Sequence, residues 1–455
     1  MFYEAETAYR EEGFLEPDAI YEEDSLVNVC KHDGWLAFLL LFSLIFGPRT
    51  KPMGMLPPMR SADIIIILLV ISRWIKSNQL YGGFVFSYRN RIFSWFMLAL
   101  TFLLLFSTMI NVAVGRYQFF IKDLYQPIVF IRMILIASIA ASFYFGERQV
   151  KQFSMGIIII SLMSVVLAFI QRFRFWYVSG LVERFYTIDW TRLEETGIGA
   201  RVVGTFGNPN QFGLYLVMLA AVTLAIAINM TGFRRLLATG TFVSLGLAVL
   251  MTTASRTALI AFFMITVISL LLSLRGKAII PVVLLTVLMI GILIFIRTYA
   301  DTLPLNPRVK GVLGIGDEKS MGSLLPSRYL LWERSIREAK ESIVFGVGIS
   351  KTTYQTTDNG YIMMLLRMGI IGLSVYISML AVLFIRGIKA LHIEKRPYQR
   401  TMLLTSFIVL INYMIFELTG DFFWSVETSA ILAAFIGLLC GSSRQALEEN
   451  YYQSQ

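Results

Sequence analysis

Apolar residues in this chain come in unbroken runs rather than on narrow stripes. Runs of about 15 to 25 residues recur from end to end, close to the ~20 residues that carry a helix across ~30 Å of hydrocarbon. Short polar stretches containing proline, glycine and bases separate them. The pattern predicts spans at 34–48, 61–76, 92–114, 124–145, 153–171, 208–230, 235–253, 257–274, 278–297, 360–386, 401–419 and 426–441. The alternating signature of a membrane β-barrel is absent. The fold class expected is therefore an all-α polytopic membrane protein with about 12 transmembrane helices.

Composition agrees: of 455 residues, 56% are hydrophobic and 15% charged, too apolar for a soluble domain of this size. Charge is unevenly spread. Residues 1–33 hold ten acids against Arg10 and Lys31, whereas the remainder holds 38 bases and 20 acids. The acidic stretch reads as a solvated arm. The scattered bases read as topology signals facing the lipid bilayer, not as a nucleic-acid surface. With the N-terminus inside, the inner connections carry Arg73, Lys76, Arg89, Arg91, Arg148, Lys151, Arg234, Arg235, Arg275, Lys277 and the 386–400 cluster, and are the richer side. The resulting plan is an acidic cytoplasmic arm (1–33), a first set of helices (34–297) with an outer loop at 172–207, a large outer loop (298–359), the last helices (360–441) and a cytoplasmic tail (442–455). The first span follows no basic start or cleavage site, so no cleavage is expected.

Cys30 and Cys440 both fall near predicted inner ends, where structural thiols are expected. His32 and His392 lack partners at ligand spacing, and no paired aspartates or Walker loop occur. No metal and no cofactor are expected, so any phosphate chemistry must rest on arginine. Several arginines stand in apolar surroundings: Arg132 in "IVFIRMILIASIA", Arg256 in "MTTASRTALIAFF" and Arg367 in "IMMLLRMGIIG". A guanidinium at such depth costs at least ~2.5 to 3.5 kcal/mol and needs a partner or a wet cavity. For Arg132 both an anion-facing role and a structural pair with an intramembrane acid stay open. Arg367 could also snorkel to the interface.

Two outer segments add polar detail. In "IGARVVGTFGNPNQFGLYLVML", Asn208, Pro209 and Asn210 make a turn into a helix start, with Arg201 just upstream. That is either a plain cap or an anion pocket. In "SLLPSRYLLWERSIREAKESIVFGVG", an amphipathic helix is expected with Ser327 as its cap and Trp332, Ile336, Ala339 and Ile343 on one face, lying on the membrane surface. Arg328 in its first turn opposes the helix dipole, as if held for an anion. Finally, "TTDNGYIMMLLRMGIIGL" begins a membrane helix with Asp358 and Asn359, followed by Tyr361.

Four of these stretches, in order, resemble the O-antigen ligase and O-antigen polymerase superfamily of bacterial membrane glycosyltransferases. They are Arg201–Gly213, Ser255-Arg256, Arg328–Gly348 and Asp358–Gly372. The resemblance implies a bacterial inner-membrane enzyme with a GT-C-like helical arrangement and a large helical periplasmic loop between late helices. It would act at the periplasmic face on an undecaprenyl-pyrophosphate-linked oligosaccharide and a glycan acceptor. A chain-length regulator or flippase is the partner it suggests. In the ligase pattern a histidine stands where this chain has Asp358, so the resemblance favours a polymerase over a ligase.

On this reading Asp358 is the base that takes the acceptor hydroxyl proton. Arg201 and Arg256, supported by Arg328 and Arg132, grip the departing pyrophosphate. Asn208, Asn210, Asn359 and Tyr361 support the loops. A multispan transporter of lipid-linked oligosaccharide is the competing class. It fits less well, because no two related halves are visible and the candidate charges gather at one face.

Overall fold

The computed structural model describes residues 31–48, 61–81, 91–173, 202–206, 208–253, 255–273, 324–349 and 357–454. Among these residues all regular structure is helical: α1 (Asp33–Phe46), α2 (Ser61–Tyr81), α3 (Arg91–Ala113), α4 (Tyr125–Ala141), α5 (Glu147–Arg172), α6 (Pro209–Asn229), α7 (Gly232–Ala248), α8 (Arg256–Ser273), α9 (Leu324–Ala339), α10 (Gly360–Ile393), α11 (Pro397–Phe416) and α12 (Val426–Ser454). Eleven of the twelve predicted spans coincide with one of these helices; the other, 278–297, lies outside the described residues. Among the described residues, seven helices are long and apolar enough to cross a membrane: α3, α5, α6, α7 with its continuation to Thr253, α10, α11 and α12.

Burial sorts these helices into a centre and a rim. The apolar windows of α6 and α12 are 89% buried, those of α3 and α10 only 39%. Helix α6 packs against α5, α7, α8 and α11, while α12 packs against α4, α10 and α11, so α11 joins the two groups. The α4–α12 seam is made of small residues. A Cβ on Gly437 would lie 2.2 Å from the Ala137 carbonyl oxygen and 2.7 Å from the Ala140 Cβ, the close approach by which helices associate without a hydrophobic drive. On the rim, α3 turns Trp95, Leu98, Phe102 and Met109 outward, and α10 turns Ile370 and Ile377 outward. An apolar outward face on an apolar helix needs lipid to cover it, which makes this a multi-pass membrane protein.

Polar side chains inside the bundle are mostly turned onto backbone. Thr101, Thr108, Ser164, Thr266 and Ser269 each donate to the carbonyl four residues back, which removes a hydroxyl from lipid at the expense of slight helix bending. Asp33 is buried and bound to Arg73 of α2, and its other oxygen accepts from the Tyr144 amide at 2.9 Å. The Arg73 guanidinium also lies 4.7 Å over the Phe143 ring. These contacts tie the start of α1 to α2 and to the α4–α5 connection.

The amphipathic helix departs from expectation. Helix α9 begins at Leu324, ahead of Pro326, so Ser327 is inside it and not its cap. Proline is tolerated there because first-turn amides have no intrahelical acceptor. Its buried positions are Ser335 and Ala339, whereas Ile336 and Ile343 are exposed. Ala339 therefore packs inward, while Ile336 and Ile343 stay on the outer surface.

Candidate active site

Asp358 sits where the chain enters α10. Its φ of 50° is the only positive value at a non-glycine residue among those described, a backbone state that persists only where the surroundings over-determine it. Those surroundings are the turn after α11. The Asn359 side chain caps α10 by accepting from the Ile362 amide at 3.0 Å, and its Nδ2 donates to the Leu418 carbonyl at 3.0 Å. The Gly360 amide donates to the Glu417 carbonyl at 2.8 Å, and the Tyr361 hydroxyl to the Met414 carbonyl at 3.1 Å. Thr357 Oγ1 donates to the Asn359 carbonyl at 2.6 Å. Position 357 and positions 359–361 are therefore fastened around a half-buried aspartate.

Helix α10 bends sharply at Gly369 (φ 66°, ψ −166°). Tyr361 lies eight residues before the bend and Tyr376 seven after it, yet their ring centroids are 5.9 Å apart. In a straight helix the two Cα atoms would be separated by about 22 Å. The backbone groups freed by the bend are taken up by residues 343–348. Val347 and Gly348 donate to the carbonyls of Leu366 and Arg367, while Ile370 and Ile371 donate to those of Ile343 and Val344. Helix α3 holds that segment from the other side. Ser107 Oγ and Asn111 Nδ2 reach the Gly346 carbonyl at 3.0 and 2.9 Å, and Thr108 Oγ1 accepts from the Ile349 amide at 3.2 Å. Arg367, buried, donates to the carbonyls of Gly348 and Ile349. It fastens the bend instead of snorkelling.

Sequence reasoning missed two acids beside Asp358. Glu417 is completely buried at the end of α11, with Oε1 accepting from the Phe423 amide at 2.7 Å and no hydrogen-bond partner for Oε2. Burial pushes its carboxyl well above the ordinary 4.5; the Phe423 amide opposes this and the nearby Asp421 reinforces it. Asp421 is also pushed up, first by burial, with the Asp358 charge adding to the rise and Arg367 opposing it. Asp421 is thus within electrostatic reach of both Asp358 and Arg367. The available signal was "FELTGDFFW", an acid directly after an apolar run and a second four residues on.

A second corner forms where α6 and α8 begin. Gln171 at the end of α5 exchanges two hydrogen bonds with Gly204, and the Val202 amide donates to the Thr252 carbonyl at 3.0 Å. That carbonyl belongs to a π-helical turn, Val249–Thr253, a feature often found at functional sites. Ser255 then opens α8, its Oγ accepting from the Ala258 amide at 3.3 Å, with Arg256 as the first helical residue. Asn208 caps α6 by accepting from the Asn210 amide at 2.8 Å. Helix α11, whose end carries Glu417, packs on both α6 and α8.

The predicted arginines fare differently. Arg201 lies outside the described residues. Arg256 and Arg328 are placed as the first residue of α8 and in the first half of α9, and their side chains lie outside the described residues. Arg132 Nε lies 2.9 Å from Asp63 Oδ1 of α2, an ion pair without an aligned hydrogen bond. Phe130, two residues earlier on α4, meets Phe423 and Trp424 at 5.3 and 5.6 Å. Residues two apart on a helix point about 200° apart, so Arg132 faces away from the Asp421 turn.

Fold and site together define a polytopic helical membrane protein with polar groups fastened at the starts of α6, α8 and α10 and in the turn after α11. Within that class, residues 240–377 match the family model described as O-antigen ligase, which places this stretch in the O-antigen ligase and polymerase superfamily. Arg256, Arg328, Asp358, Asn359 and Tyr361 fall inside the match; Arg132, Arg201, Asn208, Asn210, Glu417 and Asp421 fall outside it. No curated protein matches the chain.

Proposed function

We propose that the chain is a polysaccharide polymerase of the bacterial inner membrane, built on about twelve spans in a GT-C-like arrangement. It would transfer glycan from an undecaprenyl-pyrophosphate-linked donor to a hydroxyl of a glycan acceptor at the periplasmic face. The observation that carries this reading is Asp358, held at positive φ by Asn359, Gly360 and Tyr361 against the 414–418 turn.

In the proposed step the acceptor oxygen forms a bond to the anomeric carbon and its proton passes to the Asp358 carboxylate. The bond from that carbon to the pyrophosphate oxygen breaks, and its electron pair leaves with the pyrophosphate. Attack opposite the leaving group inverts the anomeric centre. Arg201, Arg256 and Arg328 stabilise the departing charge by bidentate pairing with phosphate oxygens; the Asp63 ion pair supports a scaffold role for Arg132. Large periplasmic segments at 172–207 and 298–359 would admit the acceptor, with a chain-length regulator or flippase as a partner. A second reading, ligase transfer to lipid A core, is favoured by the description of the matching family model.

Incubating the purified chain with a defined undecaprenyl pyrophosphate oligosaccharide, with and without a core acceptor, and measuring product mass tests both. A lengthened lipid-linked glycan supports the polymerase; glycan on the core supports the ligase. No transfer in either arm contradicts both.

A further inference from the structure

We propose that the end of the bundle opposite Asp358 holds a binding site for the phosphate of an anionic phospholipid. Helices α1, α5 and α7 all begin at that end, α5 packing against both of the others. A cleft of about 610 Å³ opens there, lined by Trp35, Glu147, Arg148, Lys151, Gln152, Met155 and Arg234. The starting residues His32, Gly146 and Thr231 make no side-chain capping bond, and each of the three helices contributes a first-turn residue, Trp35, Arg148 and Arg234, to the cleft.

The cations there run against helix electrostatics. Arg148 is the second residue of α5 and Arg234 the third of α7, and a base in the first turn is repelled by the dipole. The acids nearby are already engaged. Glu147 is bound by Lys151, which also lies 5.0 Å over the Tyr398 ring, and Asp33 is bound by Arg73. Arg148 and Arg234 have no carboxylate partner among the described residues, and Arg234 Nε is buried without an acceptor. The rule that bases collect at one membrane face accounts for their side. It does not account for their convergence on a single cleft with three helix starts, which a bound phosphate does.

A lipid, not a free ion, is indicated by the flanks. Trp35 is partly exposed beside the cleft, and α7 shows Phe233 and Leu236 outward, each 69% exposed, next to Arg234. An aromatic and aliphatic wall continuing from a cationic pocket into the bilayer surface suits a headgroup with its acyl chains attached.

The test reconstitutes the full chain in phosphatidylcholine vesicles with and without phosphatidylglycerol, then counts retained phospholipid per chain by native mass spectrometry. The wild type is expected to retain phosphatidylglycerol preferentially, and the R148Q/R234Q variant to lose that retention by roughly tenfold or more. Should the double variant fail to fold, R148Q alone, altering an exposed residue, is expected to lose severalfold. Equal retention by wild type and folded variants overturns the proposal. So does protection of the wild type from thermal unfolding by inorganic phosphate in phosphatidylcholine alone, which would mark a free-ion site. Neither arginine belongs to the proposed active site, so the outcome is independent of the glycosyl-transfer reading.

Discussion

Position 360 is glycine because a Cβ there would stand 1.3 Å from Glu417 Oε2. Gly360→Ala must therefore move a fully buried carboxyl out of its seat, with an expected loss of about 1 to 3 kcal/mol in stability from overpacking. Thermal unfolding of the alanine variant checks this, and an unchanged midpoint would contradict the packing described. Glu417 itself carries a pH signature. Its folded carboxyl titrates above the ordinary 4.5, so between those two values the folded chain binds more protons than the unfolded one. Its contribution to stability is then greatest at acid pH and falls as pH rises through that window. Asp421 acts in the same direction. Glu417→Gln keeps an oxygen for the Phe423 amide but cannot titrate, so its stability should fall less steeply with pH. Parallel wild-type and variant curves would show that Glu417 is not neutral in the fold.

The bend in α10 is the element on which the site depends. It sets Tyr361 beside Tyr376 and lets residues 343–348 bond into the helix. A Cβ at Gly369 would meet the Val344 carbonyl at 2.2 Å as well as an unfavourable φ. Gly369→Ala is expected to cost about 1 to 3 kcal/mol and to loosen the Asp358 segment. Faster hydrogen exchange at the amides of Val347 and Gly348 is the readout, and unchanged exchange there would count against the bend. Little of this was legible in the sequence. Hydropathy marked 360–386 as one span because an apolar run reports burial in lipid or core, not direction, and Gly369 looks the same in a straight helix and in a bent one. Arg367 drew notice as a charge in that run. Its acceptors, the carbonyls of Gly348 and Ile349, are backbone groups that no side-chain pattern reveals. Glu417 was hidden for a related reason: the run 401–419 absorbed it, whereas α11 ends at Phe416 and leaves it as the cap.

For the whole molecule, length and continuity of the apolar runs were enough to locate eleven helices, since a span is set by bilayer thickness more than by partners. The assembly of those helices, with α6 and α12 at the centre and α11 between them, depends on small-residue seams such as Gly437 against Ala137, which hydropathy does not register. The candidate site was legible at Asp358, Asn359 and Tyr361. It was not legible at Glu417 and Asp421, which matter through a contact between turns nearly 60 residues apart in sequence. An arginine-based pyrophosphate grip predicts that transfer persists in excess EDTA; activity lost to the chelator and restored by magnesium would contradict it. The most direct test of the central claim is the rate of glycan transfer by reconstituted Asp358→Asn from a defined undecaprenyl pyrophosphate donor. The account predicts a variant that unfolds at the wild-type temperature while transfer falls by about 100-fold or more; wild-type product lengths from that variant would contradict it.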